Sequence, residues 1–554
     1  MPTMSSLSIA MACLTSLSLL SRYYPLPFSL LLTFLVLYGI VFLAWVTYMV
    51  VLYPHFLSPT RHLPSPPGGD FLTGHFFDIF RQPVGVPLIK FTRSVANRGM
   101  IRYRSFLNQE RILPTSPEIL KEVLHTQSYT FVKPAYMRLG IGSVLGLKGL
   151  LFVEGKEHQH QRKLLTPAFS YGQIKALVPM FWERSVQLQR KIDQVIAVTG
   201  KSGVGGEAVV EMAGWLSLAT LDIIGDAGFG HECNALASAP IAGEKAKSGS
   251  ELAEAYNILF AQGADMAKVL VLLSIVFPRA LVTNLPIHRN RQVKKATAII
   301  DRVTAEIIEE KKTEVAKTSG AGGGKDILTA MLRSGHYSAE ADSSIKDQLM
   351  TFLAAGHETT ATALTWAIYL LSLPEHRHIQ QRLRAEIYSR FPGSLPETVT
   401  YDGIESLKYL RNVTMEVLRL HAPVRVTLRE AARDTTLGGE FVPKGTNIVI
   451  SPFAINRSLE VWGEDADEFN PDRWEKPVAN SYSFLTFLSG PRSCIGASFA
   501  KAEFKCLLMA MIGSFELEEA EEFKGRELVI KGGVTQKPVG GIPVCVRKVR
   551  WDRK

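Results

Sequence analysis

Phe487-Leu488-Ser489-Gly490-Pro491-Arg492-Ser493-Cys494-Ile495-Gly496 is the most informative stretch of this 554-residue chain. Directly after it, Ala497 to Ser514 has helical composition, apolar residues at helical spacing and few breakers. Cys494 therefore belongs to a glycine-containing turn that opens a helix. Backbone amides at a helix start stabilise an anion, here a thiolate. Arg492 is placed to pair with a carboxylate beside it. The five cysteines, Cys13, Cys233, Cys494, Cys506 and Cys545, are odd in number and never spaced Cys-x-x-Cys. That pattern argues against a disulfide framework or a zinc cluster and for a reducing compartment. Cys233, Cys506 and Cys545 read as small buried hydrophobes. The neighbours of Cys494 set it apart.

Phe-x-x-Gly-x-Arg-x-Cys-x-Gly is intact in this stretch, and on it the chain resembles the cytochrome P-450 superfamily from about Pro64 to its C-terminus. The resemblance implies a haem b whose iron takes the Cys494 thiolate as axial ligand, the thiolate donating electron density that favours O–O cleavage. It implies that Arg492 binds a haem propionate and that Phe487 packs near the sulfur. Gly490 and Gly496 remove side chains where the flat macrocycle and the backbone approach closely.

Ile345 to Leu373 lacks proline, is rich in helix formers and stops at Pro374. Ser344 with Asp347 three residues on has the form of a capping box. A helix of this length covers on the order of 43 Å and, being apolar on most faces, is buried. Within it stands Ala355-Gly356-His357-Glu358-Thr359-Thr360. Gly356 is either a packing glycine or the space that lets the helix approach a haem. Since glycine costs roughly 1 kcal/mol against alanine inside a helix, something needs that space. The segment is similar to the family's (Ala/Gly)-Gly-x-(Asp/Glu)-Thr-(Thr/Ser) element. That likeness implies that Thr359 orders a proton donor for dioxygen and that Glu358 belongs to the proton relay. A zinc protease would need His at position 361, where Ala361 stands. A phosphate loop ending at Gly200-Lys201-Ser202 would need glycine at Val195.

Glu416 and Arg419 share a helix face in Leu410–Leu420. With Arg473 of Phe469-Asn470-Pro471-Asp472-Arg473-Trp474, they resemble the family's structural charged triad beneath the haem. Val424 to Thr427 reads as a short strand, and the likeness implies Arg429 as a propionate ligand. His158 stands where the family usually has Trp, one turn before Arg162; both could donate to a propionate, or His158 is an exposed helix residue. Pocket lining is expected from Val132–Leu150, Leu259–Pro286, Leu353–Thr359 and Val534–Gln536, with Leu353, Ala355, Val426, Thr427 and Val534 as individual candidates. Arg162, Lys163, Lys501 and Lys505 are expected to flank the cysteine side of the haem and meet an acidic electron donor.

Net charge is +10, with Lys and Arg scattered and no recognition motif for nucleic acid. Arg22 is the only Asp, Glu, Lys or Arg among the first 60 residues, and Phe28 to Tyr53 is nearly continuous apolar sequence. That run is too long, and its start not basic enough, for a cleaved signal peptide, so a retained transmembrane helix over about 28–53 is expected. The shorter run Leu7–Leu20 lies in the interface or folds back. A stiff Pro-rich neck at 63–69 follows. The expected architecture is an anchor at 1–60 and one catalytic domain at 61–554, mostly α with a small β-rich lobe, in the cytochrome P-450 fold. The resemblance implies a single-pass protein of the endoplasmic reticulum with its catalytic domain facing the cytosol. It implies monooxygenation of an apolar small molecule, with electrons from NADPH through NADPH-cytochrome P-450 reductase and cytochrome b5 as a second donor. The histidine at position 158 resembles fungal members, many of them in secondary-metabolite biosynthesis. The rivals are a haem-thiolate isomerase or dehydratase that uses no O2, and a haem-based sensor or carrier.

Overall fold

The uncharged run after residue 29 forms a helix, α1 (Leu30–Thr47), which continues as a wider π-helical stretch, Tyr48–Leu57. Pro54 sits inside that stretch, where its missing amide loosens the ladder. The computed structural model describes residue 15 and residues 30–199, 206–241, 251–261, 269–270, 273, 279–317, 326–333, 342–476, 480–532 and 534–549. Leu32–Leu57 is long and apolar enough to cross a membrane. The helix thus runs four residues past the expected end at Tyr53. The Leu7–Leu20 segment, apart from Thr15, and much of Leu259–Pro286 lie outside the described residues.

In chain order there follow β1 (Met100–Arg104), β2 (Glu110–Pro114), β3 (Phe131–Val132), α2 (Gly155–Leu165), α3 (Tyr171–Thr199), β4 (Glu207–Glu211), α4 (Met212–Phe229) and α5 (His288–Lys317). The second half holds α6 (Asp342–Ser372), α7 (Lys408–Leu420), β5 (Thr427–Ala431), β6 (Asn447–Ile450) and α8 (Ala497–Ser514). It ends with β7 (Phe515–Glu519), β8 (Ile530–Lys531), β9 (Lys537–Pro538) and β10 (Pro543–Lys548). The chain divides into two compact units, Met1–Pro134 with Val426–Ser451, and Ala135–Arg425 with Pro452–Lys554.

The first unit carries the β-rich part, a five-stranded sheet ordered β1-β2-β6-β5-β3. Only β2 and β6 pair in parallel. The strand expected at Val424–Thr427 begins at Thr427, where pairing with Ile450 starts. The chain leaving α1 is fastened to this sheet by a buried ion pair. Arg102 Nε donates to Glu110 Oε1 at 2.7 Å. Ser58 Oγ donates to the other carboxylate oxygen at 2.8 Å, and Arg102 Nη2 to the Pro54 carbonyl at 2.6 Å.

In the second unit α6 packs along α4, and α8 along α3. Leu349, Leu364, Ile368 and Leu371 of α6 are fully buried, and Phe181 of α3 meets Phe499 of α8 with ring centroids 4.7 Å apart. At 31 residues, α6 is about 46 Å long. Its start differs from the expected capping box. Ser344 is already inside the helix, and the Asp347 carboxylate accepts the Lys148 backbone amide at 2.8 Å. A loop distant in sequence has taken the acceptor that the cap would have used.

Replacing Glu110 by Ala should strand the Arg102 charge in the sheet and cost about 3–5 kcal/mol. Chemical denaturation of the first unit's transition measures this. A loss under about 1 kcal/mol would show that the clamp is a surface-grade contact.

Candidate functional site

The cysteine loop follows a tight path, with Leu488 at φ 55° and Gly490 at φ 76°. It turns the Cys494 amide back onto the Phe487 carbonyl at 2.8 Å. Cys494 has accessible surface, yet burial by surrounding protein pushes its thiol pKa up. The Gly496 amide, which hydrogen-bonds to it, and the charges of Arg162 and Lys501 act in the opposite direction. Cys494 is thus an exposed residue whose thiol is nonetheless closely surrounded by protein. Cys506, by contrast, has no exposure, and burial pushes the Cys233 thiol up to about 12. Cys13 lies outside the described residues. Phe487 packs by Phe484 and lies 5.9 Å beneath the Lys501 ammonium.

Helix α2 supplies the cations behind the loop. Arg162 Nη1 donates to the Ser493 carbonyl at 2.6 Å. His158, one turn earlier, is buried rather than exposed. Arg492 is buried and donates to the carboxylate of Glu154, the N-cap residue of α2, and to the Val153 carbonyl at 3.4 Å. Sequence reading missed Glu154, although an acid directly before a helix start was a visible signal. Lys505 does not present itself to a partner as expected. It is 4% exposed and ion-paired with Glu405, because α8 is buried on nearly every face. Arg429, Val426 and Thr427 belong to the first unit, where Arg429 is buried on β5 and donates to the Leu428 carbonyl at 2.8 Å.

On α6, Ala355 is exposed and Gly356 and Thr359 are half-buried, while the residues around them are buried. Ala355 and Thr359 lie one turn apart, so an accessible strip interrupts a core helix. Thr359 Oγ1 donates to the Ala355 carbonyl at 2.7 Å. Phe352, a turn earlier, meets Phe169, which a side chain on Gly496 would touch at 3.8 Å. The strip thus runs past the start of α8. Leu353, expected in the pocket, is instead fully buried. It shares a face with His357, whose Nε2 lies 3.0 Å from Ser217 Oγ on α4. Gly356 answers to the same packing: a Cβ there would come within 2.7 Å of the Ile224 side chain. The packing reading of Gly356 therefore has a named neighbour.

Glu358 is buried and turns toward the C-terminal hairpin of β8 and β9. Its Oε1 accepts from Thr535 Oγ1 at 2.8 Å and lies 3.1 Å from Lys537 Nζ. In the expected pocket segment Val534–Gln536, Val534 is half-buried, and Thr535 and Gln536 are buried.

The structure brings Glu416, Arg419 and Arg473 together. Arg419 makes a two-point pair with Glu416 at 2.8 and 2.7 Å, both side chains fully buried. Arg473 Nε, Trp474 Nε1 and the Asn470 amide add bonds to the same carboxylate at 3.0, 2.8 and 3.0 Å.

The family model for cytochrome P-450 matches residues 64–542. The chain belongs to the cytochrome P-450 family. It is 37% identical to the cytochrome P-450 monooxygenase FUM15 of Gibberella moniliformis, covering 92% of each chain. It is 36% identical to the monooxygenase sphH of Aspergillus fumigatus, again covering 92% of each, and 34% identical to buaD of Petromyces alliaceus, covering 93% of each. As a cytochrome P-450 it is an oxidoreductase that incorporates oxygen, with the helical fold and small sheet lobe described above.

His357 gives this cytochrome P-450 a pH signature. Burial pushes its pKa down to about 4, with Glu358 opposing. The unfolded chain, with a histidine pKa of about 6.5, takes up a proton that the fold excludes. The stabilisation is therefore complete above about pH 6.5 and declines, by up to about 3 kcal/mol, as pH falls toward 4. Denaturation midpoints between pH 4 and 7 should fall more steeply in the wild type than in His357→Gln. Equal slopes would assign the acid sensitivity elsewhere.

Proposed function

We propose that this protein is a membrane-anchored haem-thiolate monooxygenase in which the Cys494 thiolate would hold the haem iron. The observation that carries the reading is Cys494 itself: an exposed residue in a tight loop, its sulfur bonded by the Gly496 amide and near the charges of Arg162 and Lys501. The residues present fit haem b. A flat group would lie along the accessible strip at Ala355 and Thr359, and Arg162 and Arg492 form a cationic border suited to propionates, with His158 beside Arg162 as a further hydrogen-bond donor. Arg492 already holds a carboxylate in this structure, that of Glu154. When bound, haem supplies one-electron chemistry and the activation of O2.

The chain's own residues do the rest. The Gly496 amide and the nearby cations hold negative charge on the Cys494 sulfur, and Gly490 shapes the loop that presents it. Phe487 covers the sulfur on one side. Thr359 holds a proton at Oγ1 on the accessible strip, and Glu358 resupplies it. Glu416, Arg419 and Arg473 fix the segment leading to the loop. Ala355 and Val534 are assigned to the walls of an apolar pocket that binds the substrate and excludes water. Residues 61–554 act as the catalytic domain. Electrons come from NADPH through NADPH-cytochrome P-450 reductase, with cytochrome b5 as a second donor. The span Leu32–Leu57 supports a single-pass anchor, placed in the endoplasmic reticulum with the catalytic part facing the cytosol. The histidine at position 158, by its resemblance to fungal members of the family, supports a substrate in secondary metabolism.

Microsomes carrying the protein, given reductase, NADPH and a metabolite library, should yield a product heavier by one oxygen atom that derives from O2. On that substrate, Thr359→Ala should keep binding and NADPH use while product falls about 100-fold, within the usual range for a lost proton donor, and peroxide rises. Full product from Thr359→Ala would place the proton route elsewhere. Turnover without O2 consumption would make the enzyme an isomerase or dehydratase.

A further inference from the structure

Glu358 is not bonded to its neighbour Thr359, whose hydroxyl turns to the Ala355 carbonyl. Its carboxylate is held by residues about 180 positions away. One oxygen, Oε1, takes both the Thr535 hydroxyl at 2.8 Å and the Lys537 ammonium at 3.1 Å. The other faces His357 Nε2 at 4.0 Å, and His357 is neutral at physiological pH because burial pushes its pKa down to about 4. The cation in contact with this buried carboxylate is therefore Lys537. The Lys537 side chain is 27% exposed and that of Glu358 is 4% exposed. The ion pair thus joins a partly exposed ammonium to a buried acid.

The hairpin that carries Thr535 and Lys537 is itself fastened to α6. Trp366 Nε1 donates to the Gln536 carbonyl at 3.0 Å. Ile530 pairs with Pro538, and the turn closes so tightly that a Cβ on Gly532 would collide with the Thr535 carbonyl. Val534, half-buried, immediately precedes Thr535.

We propose that the β8–β9 hairpin positions Glu358, with Lys537 as the solvent-side end of its proton supply and Thr535 as the contact that fixes the carboxylate. Both are positioning residues, acting through Glu358. A proton reaches the carboxylate from bulk water along the Lys537 side chain, and the ammonium that donates is re-protonated by water. This rests on the reading of Glu358 as a member of the relay.

The test uses the full-length holoprotein with purified reductase, NADPH and O2, no substrate added. The split of electrons between peroxide and water is measured against pH, alongside amide hydrogen exchange of residues 530–538 without turnover. Lys537→Met and Thr535→Val should each speed hairpin exchange about tenfold. Both should raise the peroxide share and shift its pH profile, and Lys537→Arg should restore the wild-type values of both. Faster exchange with an unchanged peroxide share and pH profile would reduce the hairpin to a structural role and overturn the proposal. Unchanged exchange in Lys537→Met would overturn it as well. Glu358→Gln separates the two ideas. If it behaves as wild type, the relay reading itself fails. If it releases peroxide while Lys537→Met does not, only the hairpin proposal fails.

Discussion

One buried carboxylate organises the approach to the cysteine loop. Glu416 accepts from two guanidiniums, an indole and a backbone amide, so that α7 and the Phe469–Trp474 segment share a single acceptor. Arg419 reaches on to the Asn456 and Ala466 carbonyls at 2.7 and 2.6 Å. Asn456 in turn accepts the Leu485 amide and donates to Thr486, whose hydroxyl donates to the Leu418 carbonyl. The chain entering Phe487 is thereby tied to α7 at two consecutive residues. A buried ion pair of this kind contributes little net stability relative to a well-packed apolar substitute, but removing one partner strands a charge at a cost of about 3–5 kcal/mol. What such a network supplies is geometry, and here that geometry sets where Cys494 emerges.

The parts of the site that were legible in the sequence are those whose chemistry is local. The cysteine turn and the helix after it occupy one continuous stretch, and the alternation of glycine, arginine and cysteine there has few other uses. Helix α6 announced itself by length and lack of breakers. Glu416 and Arg419 sit three residues apart on one helical face, so their pairing needed no knowledge of the fold.

What escaped the sequence is pairing over distance. Arg492 meets Glu154, Asp347 meets Lys148, Glu358 meets Thr535 and Lys537, and Gly356 makes room for Ile224. Each partner lies well over a hundred residues away and carries no spacing signal of its own. Leu353 and Lys505 illustrate the same limit. An apolar residue beside a pocket motif and a lysine on a helix look alike whether they face a cavity, solvent or the core. Full burial decided the first, and the pairing with Glu405 the second. The N-terminal span was readable by composition, but its attachment to Arg102 and Glu110 was not, since that contact needs the β1–β2 pairing to bring the two charges together.

The central claim, that Cys494 is the thiolate ligand of a haem, is tested most directly by the absorption spectrum of the reduced protein under carbon monoxide, with haem content measured in parallel. The wild type and Cys506→Ser should both show the band set by a thiolate ligand, because Cys506 is sealed in the α8 core. Cys494→His should retain haem and lose that band. A Cys494→His protein whose spectrum matches the wild type would contradict the account.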